Sequence, residues 1–247
     1  MASHETYYVP AQSKWPIIAS VGLLLTVFGG GSMINGMSSG EGSVAGKWFL
    51  FAGALMMIYM LFGWFSNVVR ESDQGLYSPQ MDRSFRMGMG WFIFSEVMFF
   101  AAFFGALFYV RTFAGPWLGG EGDKGVTNIL WPEFQFAWPL MSNPDPKAFP
   151  GPAETIGPWQ LPLLNTIILI TSSVTVTFAH HALRADKRGA TKAWLGLTVL
   201  LGVIFVVLQA LEYQHAYHEL GLTLNSGIYG STFFMLTGFH GAHVTMG

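Results

Sequence analysis

Glu96 is the one carboxylate in GWFIFSEVMFFAAFFG, residues 90–105, where the other fifteen residues are apolar or small. An acid in such a stretch is costly to bring into hydrocarbon. It is kept by pairing, by holding its proton, or by facing a water-filled cavity. Two readings follow: a carboxyl group that passes protons on, or a neutral acid hydrogen-bonded to a neighbouring helix. The histidines suggest other chemistry. His180-His181, His215-x-x-His218 and His240-x-x-His243 resemble the boxes that hold two irons in membrane hydroxylases, and Glu212-x-x-His215 repeats half of a di-iron carboxylate motif. The fuller eight-histidine pattern is absent, and on helices of alternating direction the first two pairs lie at opposite membrane faces, about 30 Å apart. These histidines are therefore read as helix-end residues that bond carbonyls, headgroups or a partner protein. With no cysteine in the 247 residues, disulfides and thiolate-bound metal centres are excluded.

The elements that carry these residues are membrane spans. Hydrophobic residues make up 51% of the chain and charged residues 11%, a balance foreign to soluble domains. Charge-free windows at 15–40, 48–69, 159–183, 193–211 and 221–247 each reach the roughly 20 residues that cross hydrocarbon, and 87–110 does so apart from Glu96. At the helical rise, Glu96 lies roughly 13 Å in from Met87. The expected fold is all-α, a polytopic transmembrane bundle over 1–247, with a two-helix group at 15–69 and the remaining helices at 84–247. Residues 111–158 form an external insert rich in Pro, Gly and Trp, with Trp117, Trp131 and Trp138 suited to the membrane interface. The start, MASHETYYVPAQSKW, has no removable-signal pattern, so the first span is expected to direct insertion.

Loop charges set the orientation. If the six spans alternate, Lys14, Arg70, Arg83, Arg86, Arg184, Lys187, Arg188 and Lys192 share one side, against Lys47, Arg111, Lys124 and Lys147 on the other. Eight against four predicts a cytoplasmic or matrix-side N-terminus. Arg70-Glu71 then sits at headgroup depth, where an arginine either binds lipid phosphate or serves as an ordinary basic flank. The Gly29-Gly30-Gly31 run and the Asn, Ser and Thr residues of LPLLNTIILITSSVTVT predict close helix packing.

Six strings in consistent order resemble subunit III of the haem–copper cytochrome c oxidases: NVVRESDQG, RMGMGWFIFSEVMFF, LPLLNTIILITSS, TFAHHAL, LQALEYQHA and GSTFFMLTGFHGAHVTMG. The resemblance implies a seven-helix subunit of an aerobic respiratory oxidase, its first two helices parted from the rest by a lipid-filled cleft. A seventh helix is expected beyond Gly247. It also implies no cofactor in this chain, with haem and copper held by partner subunits I and II. Cytochrome c is the implied substrate of the complex, phospholipids are implied ligands, and no nucleic acid is implied. By the same matching Glu96 is a buried carboxylate linked to proton movement, and Arg70 and Glu71 contact lipid headgroups. His180, His181, His240 and His243 are structural or interface residues. Two departures stand out: Asp73-Gln-Gly-Leu-Tyr77-Ser replaces a region where members often carry a His pair, and the external insert is longer than in many members. The competing readings are subunit III of a quinol oxidase, a di-iron hydroxylase, and a proton-coupled transporter, for which no inverted repeat is visible.

Glu96→Gln substitutes a neutral isostere for the protonated acid. Assembly of the oxidase is expected to be unchanged, with proton uptake altered at high pH. Loss of assembly would mean that a charged, paired Glu96 is structural.

Overall fold

The computed structural model describes residues 8, 9, 11–40 and 42–246, the side chains of Met37, Ser38 and Met246 excepted. The signal-peptide reading of the first fifteen residues and the stop at Gly247 thus fall wholly or largely outside the described residues. All regular structure among the described residues is helical: α1 (Trp15–Ser39), α2 (Val44–Asp73), α3 (Pro79–Tyr109), α4 (Gly115–Leu118), α5 (Leu161–Arg184), α6 (Arg188–His218) and α7 (Ile228–Met246). Five of these, α1, α2, α3 with its continuation through α4, α5 and α6, are long and apolar enough to cross a membrane. The chain divides into two compact units, Met1–Val97 and Met98–Gly247, and the boundary falls within α3.

The helices overrun the expected spans because hydrogen bonding continues where hydrocarbon stops. Arg83 and Arg86, expected in a loop, ride the first turns of α3, where Arg86 pairs with Asp82 at i,i+4. α6 begins at Arg188 rather than at 193 and runs to His218. The last expected span is shortened instead. Residues 221–227 form a turn in which Gly221 and Gly227 adopt left-handed φ of 60° and 93°, so α7 starts at Ile228.

Lipid tails are as apolar as leucine, so burying leucine does not drive these helices together. Leu24, Phe62 and Trp91 are 67%, 73% and 69% exposed. The closest backbone approaches between α1 and α2 are made at small residues. On α1, Gly22, Gly29 and Gly36 recur every seven residues, and Gly46 and Gly53 do so on α2. A Cβ on Gly29 would lie 2.3 Å from the Leu50 amide nitrogen, and one on Gly53 would lie 2.5 Å from that of Thr26. The two backbones are in contact. The facing pairs 22 with 57, 26 with 53, 29 with 50 and 36 with 43 all sum to 79, which is the signature of an antiparallel hairpin in one register. The seven-residue repeat keeps this seam straight only if the helices coil gently about each other. Of the glycine run singled out from sequence, only Gly29 makes this approach. Gly30 and Gly31 face open space.

In the second unit, Thr175 and Thr198 share a hydroxyl hydrogen bond of 2.7 Å between α5 and α6, and Phe178 packs on Trp194 with ring centroids 5.0 Å apart. As one residue number rises the other falls, so this hairpin is antiparallel too. The insert is tied down at the far end of α6. Ala153 N donates to Leu220 O at 2.9 Å, and Asn143 Nδ2 donates to Phe149 O at 2.9 Å and to Ser226 O at 3.0 Å. Beneath it Ala216, Leu222 and Phe234 form a small buried core.

Gly29→Leu puts a side chain where the Leu50 backbone stands, and overpacking of this kind costs about 1–3 kcal/mol. In this cysteine-free chain, a Phe28→Cys/Phe49→Cys pair, whose native rings are 5.4 Å apart, reports the hairpin by oxidative cross-linking. Gly29→Leu is expected to abolish the cross-link and Gly30→Leu to leave it intact.

Candidate lipid-headgroup site

The α1–α2 register brings the start of α1 to the end of α2. The Trp15 ring lies over Gly63, where a Cβ would clash with it at 1.9 Å, and Lys14 Nζ donates to the Tyr59 hydroxyl at 3.5 Å. α2 then stops in a tight C-terminal turn. Gln74 N bonds Arg70 O at 3.0 Å and Leu76 N bonds Glu71 O at 3.2 Å, with Gly75 at φ 68°. The reversal returns Tyr77 to α2 and launches α3 at Pro79, a residue suited to a first helical turn.

These three ends enclose a cavity of about 830 Å³. Lys14, Arg70, Asn67 and Ser84 line its polar part, and Trp15, Trp64, Met81 and Phe85 its apolar part. Arg70 Nη2 donates to Asn67 Oδ1, which orients the guanidinium. Among the described residues neither Lys14 nor Arg70 is paired with a carboxylate. Glu71 lines the same cavity, where Tyr77 Oη donates to its Oε2 at 2.8 Å. Two cations that no carboxylate pairs among the described residues, beside apolar side chains, suit a phosphate with hydrocarbon attached.

Sequence reasoning named Arg70 and Glu71 and missed two partners. Lys14 entered only as a basic flank, although the helix lengths already implied that it would return to the level of α2's last turns. Tyr77 was noted only as a departure from a His pair. In the structure it is the residue that engages Glu71, so the carboxylate of the pair is bonded to a phenol, and all three side chains line the cavity.

The other expected site residues lie apart. Glu96 is half-buried on α3, ten residues, or about 15 Å, beyond Arg86. His240 and His243 are half-buried on α7 among aromatic rings. His240 meets Phe100 and Phe205 at centroid distances of 5.4 Å and 6.0 Å, and His243 meets Phe99 at 5.8 Å. His180 and His181 are exposed at the end of α5, while His215 and His218 end α6. With Trp194 opposite Phe178, His215 stands about 30 Å further along α6, beyond reach of the first pair. Among the described residues no group of three or more His, Asp or Glu side chains is placed to hold a metal ion.

Nearly the whole chain matches one family. The model of cytochrome c oxidase subunit III covers residues 4–122 and 143–247. The chain belongs to the cytochrome c oxidase subunit III family. A cytochrome c oxidase subunit 3 of Prototheca wickerhamii is 38% identical over 248 residues, spanning 100% of this chain and 80% of the relative. One of Arabidopsis thaliana is 36% identical over 247 residues with the same coverage. A probable cytochrome c oxidase subunit 3 of Rickettsia felis is 33% identical over 242 residues, spanning 98% of this chain and 77% of the relative. The unmatched residues 123–142 lie in the long insert. There Asn128 Nδ2 donates to Leu118 O at 2.8 Å and to Trp131 O at 3.1 Å, so a single amide gathers the loop.

Burial, with the hydrogen bond to Glu71 and the charge of its carboxylate, pushes the Tyr77 phenol up to about 12. An unfolded chain releases that proton near 10. The folded chain therefore binds the proton more tightly, and the contribution to stability is complete below about pH 10 and is lost as pH rises through about 12. The tyrosinate absorbance difference between the parent chain and Tyr77→Phe is expected to titrate near pH 12. A midpoint near 10 would contradict the Glu71–Tyr77 bond.

Proposed function

We propose that this chain is the non-catalytic third subunit of a proton-pumping terminal oxidase that passes electrons from cytochrome c to O₂. The observation that carries the reading is the family match across nearly the entire chain at 33–38% identity to curated relatives. On this reading subunits I and II are its partners, the haems and copper belong to them, and this chain supports proton uptake, lipid retention and the stability of subunit I. The complex sits in a bacterial plasma membrane or mitochondrial inner membrane, with Lys14 and Arg70 on the cytoplasmic or matrix side.

Within that role the chain's own residues have distinct tasks. Lys14 and Arg70 bind a phospholipid phosphate at the headgroup level, Trp15 and Phe85 receive the adjoining hydrocarbon, and the Tyr77 phenol donates to Glu71 in the same cavity. Glu96, deep in α3, holds and releases a proton near the uptake surface of subunit I. His180 and His181 offer hydrogen-bonding groups at the membrane surface to a partner, and His240 and His243 stiffen the aromatic packing around α7.

The test is made on the purified oxidase. Native mass spectrometry is expected to find haem-bearing subunit I and subunit II with this chain. Arg70→Ala, and more strongly Arg70→Ala/Lys14→Ala, should lower retained phospholipid at this site about tenfold or more, the worth of a charge-assisted hydrogen bond. Unchanged lipid content would remove the headgroup role, and isolation of this chain without haem-bearing partners would remove the oxidase assignment.

A further inference from the structure

A second polar cavity lies in the other unit, at the end of α6 where the insert docks. It measures about 670 Å³ and is lined by Glu154, Glu212, His215, Glu219 and Trp159, with Ile156 and Leu161 among its apolar surface. Its chemistry is the reverse of the Arg70 cavity, since three carboxylates face it and no lysine or arginine does.

Their states differ. Glu219 has a partner, its Oε2 standing 3.0 Å from His215 Nδ1, and both side chains are well exposed. Glu154 is exposed at the rim. Glu212 is only 5% exposed and lines the cavity with His215 near enough to interact with its charge, and among the described residues no hydrogen bond reaches its carboxylate. A buried carboxylate without a donor is costly, so this group is matched to something that supplies one. A second unpartnered side chain lies on α5, outside the residues that line the cavity. Asn165 is 4% exposed, and neither its Nδ2 nor its Oδ1 has a partner. It stands one helical turn along α5 from Leu161, on the same face.

The ligand class follows from size and spacing. These side chains do not converge on a point as ligands of a metal ion do. They are spread around a volume in the range of small-molecule sites, with apolar wall between them. Trp159, 81% exposed, adds an aromatic face that attracts cations. A cation with N–H donors and an alkyl body answers all of these features. We propose that this cavity binds a primary ammonium group, carried by an aminophospholipid headgroup or by a free amine. Glu212 accepts its N–H, Glu154 supplies further negative charge at the mouth, and Trp159 covers its alkyl side.

The test uses the full chain in its purified complex, reconstituted in nanodiscs with equal phosphatidylethanolamine, phosphatidylcholine and phosphatidylglycerol. Native mass spectrometry counts the lipids retained after delipidation. The parent is expected to hold one more phosphatidylethanolamine than Glu212→Gln, with affinity falling about tenfold in the variant. Phosphatidylcholine, which has no ammonium N–H, should not substitute, and Arg70→Ala should leave this retention unchanged. Adding ethanolamine separates the sources: displacement of the lipid means that the ammonium alone is recognised, and persistence means that the acyl chains are needed too. If neither phosphatidylethanolamine nor ethanolamine is held in a Glu212-dependent way, or phosphatidylcholine is held equally well, the proposal is wrong. Should Glu212→Gln fail to assemble, Glu154→Lys decides, because its exposed side chain reverses the charge at the mouth without touching the fold.

Discussion

Backbone-to-backbone contact between α1 and α2 is the constraint on which the first unit depends. In water the helices would be driven together by apolar burial, but in lipid that term cancels, leaving van der Waals contact and polar bonds. Gly29 and Gly53 let the main chains meet, since a Cβ at either would stand 2.3 Å or 2.5 Å from a backbone nitrogen. That contact fixes one register along the whole hairpin. Through the register it fixes which residues of α1's first turn meet α2's last, and hence that Lys14 shares a cavity with Arg70.

The second unit reaches the same end by hydroxyl bonding. Thr175 and Thr198 join α5 to α6, and Tyr213 joins α6 to α7 through Thr237. Polar groups thus do the internal work while large apolar side chains such as Phe62 and Trp91 face outward. Apart from Glu96 in α3, the same inversion leaves the two charged cavities at helix ends. A cationic cavity lies at the α2–α3 turn and an acidic one at the end of α6, each closed on one side by a segment outside the spanning helices.

Much of this was legible in the sequence. The spans follow from charge-free windows, and five helices of the required length and composition stand where those windows fell. The expected sixth is shorter than its window, because Gly221 and Gly227 turn the chain first. Hydropathy averages over such a turn, as glycine is neutral on that scale. Arg83 and Arg86 were assigned to a loop for the converse reason: charge marks the edge of hydrocarbon, whereas a helix ends only where its hydrogen bonds do.

The sequence alone determined the family and the membrane character, and it placed Arg70 at a helix end. These are properties of order and composition along one dimension, and six strings in consistent order suffice for them. Only the tertiary structure decided that Gly29 and not Gly30 carries the helix contact, that Tyr77 takes up Glu71, and that Glu212 lies buried beneath a cavity. Each of these depends on which faces of the helices and turns meet. A rotation of one residue, about 100° around a helix, exchanges contact for open lipid without changing any pattern that hydropathy can register.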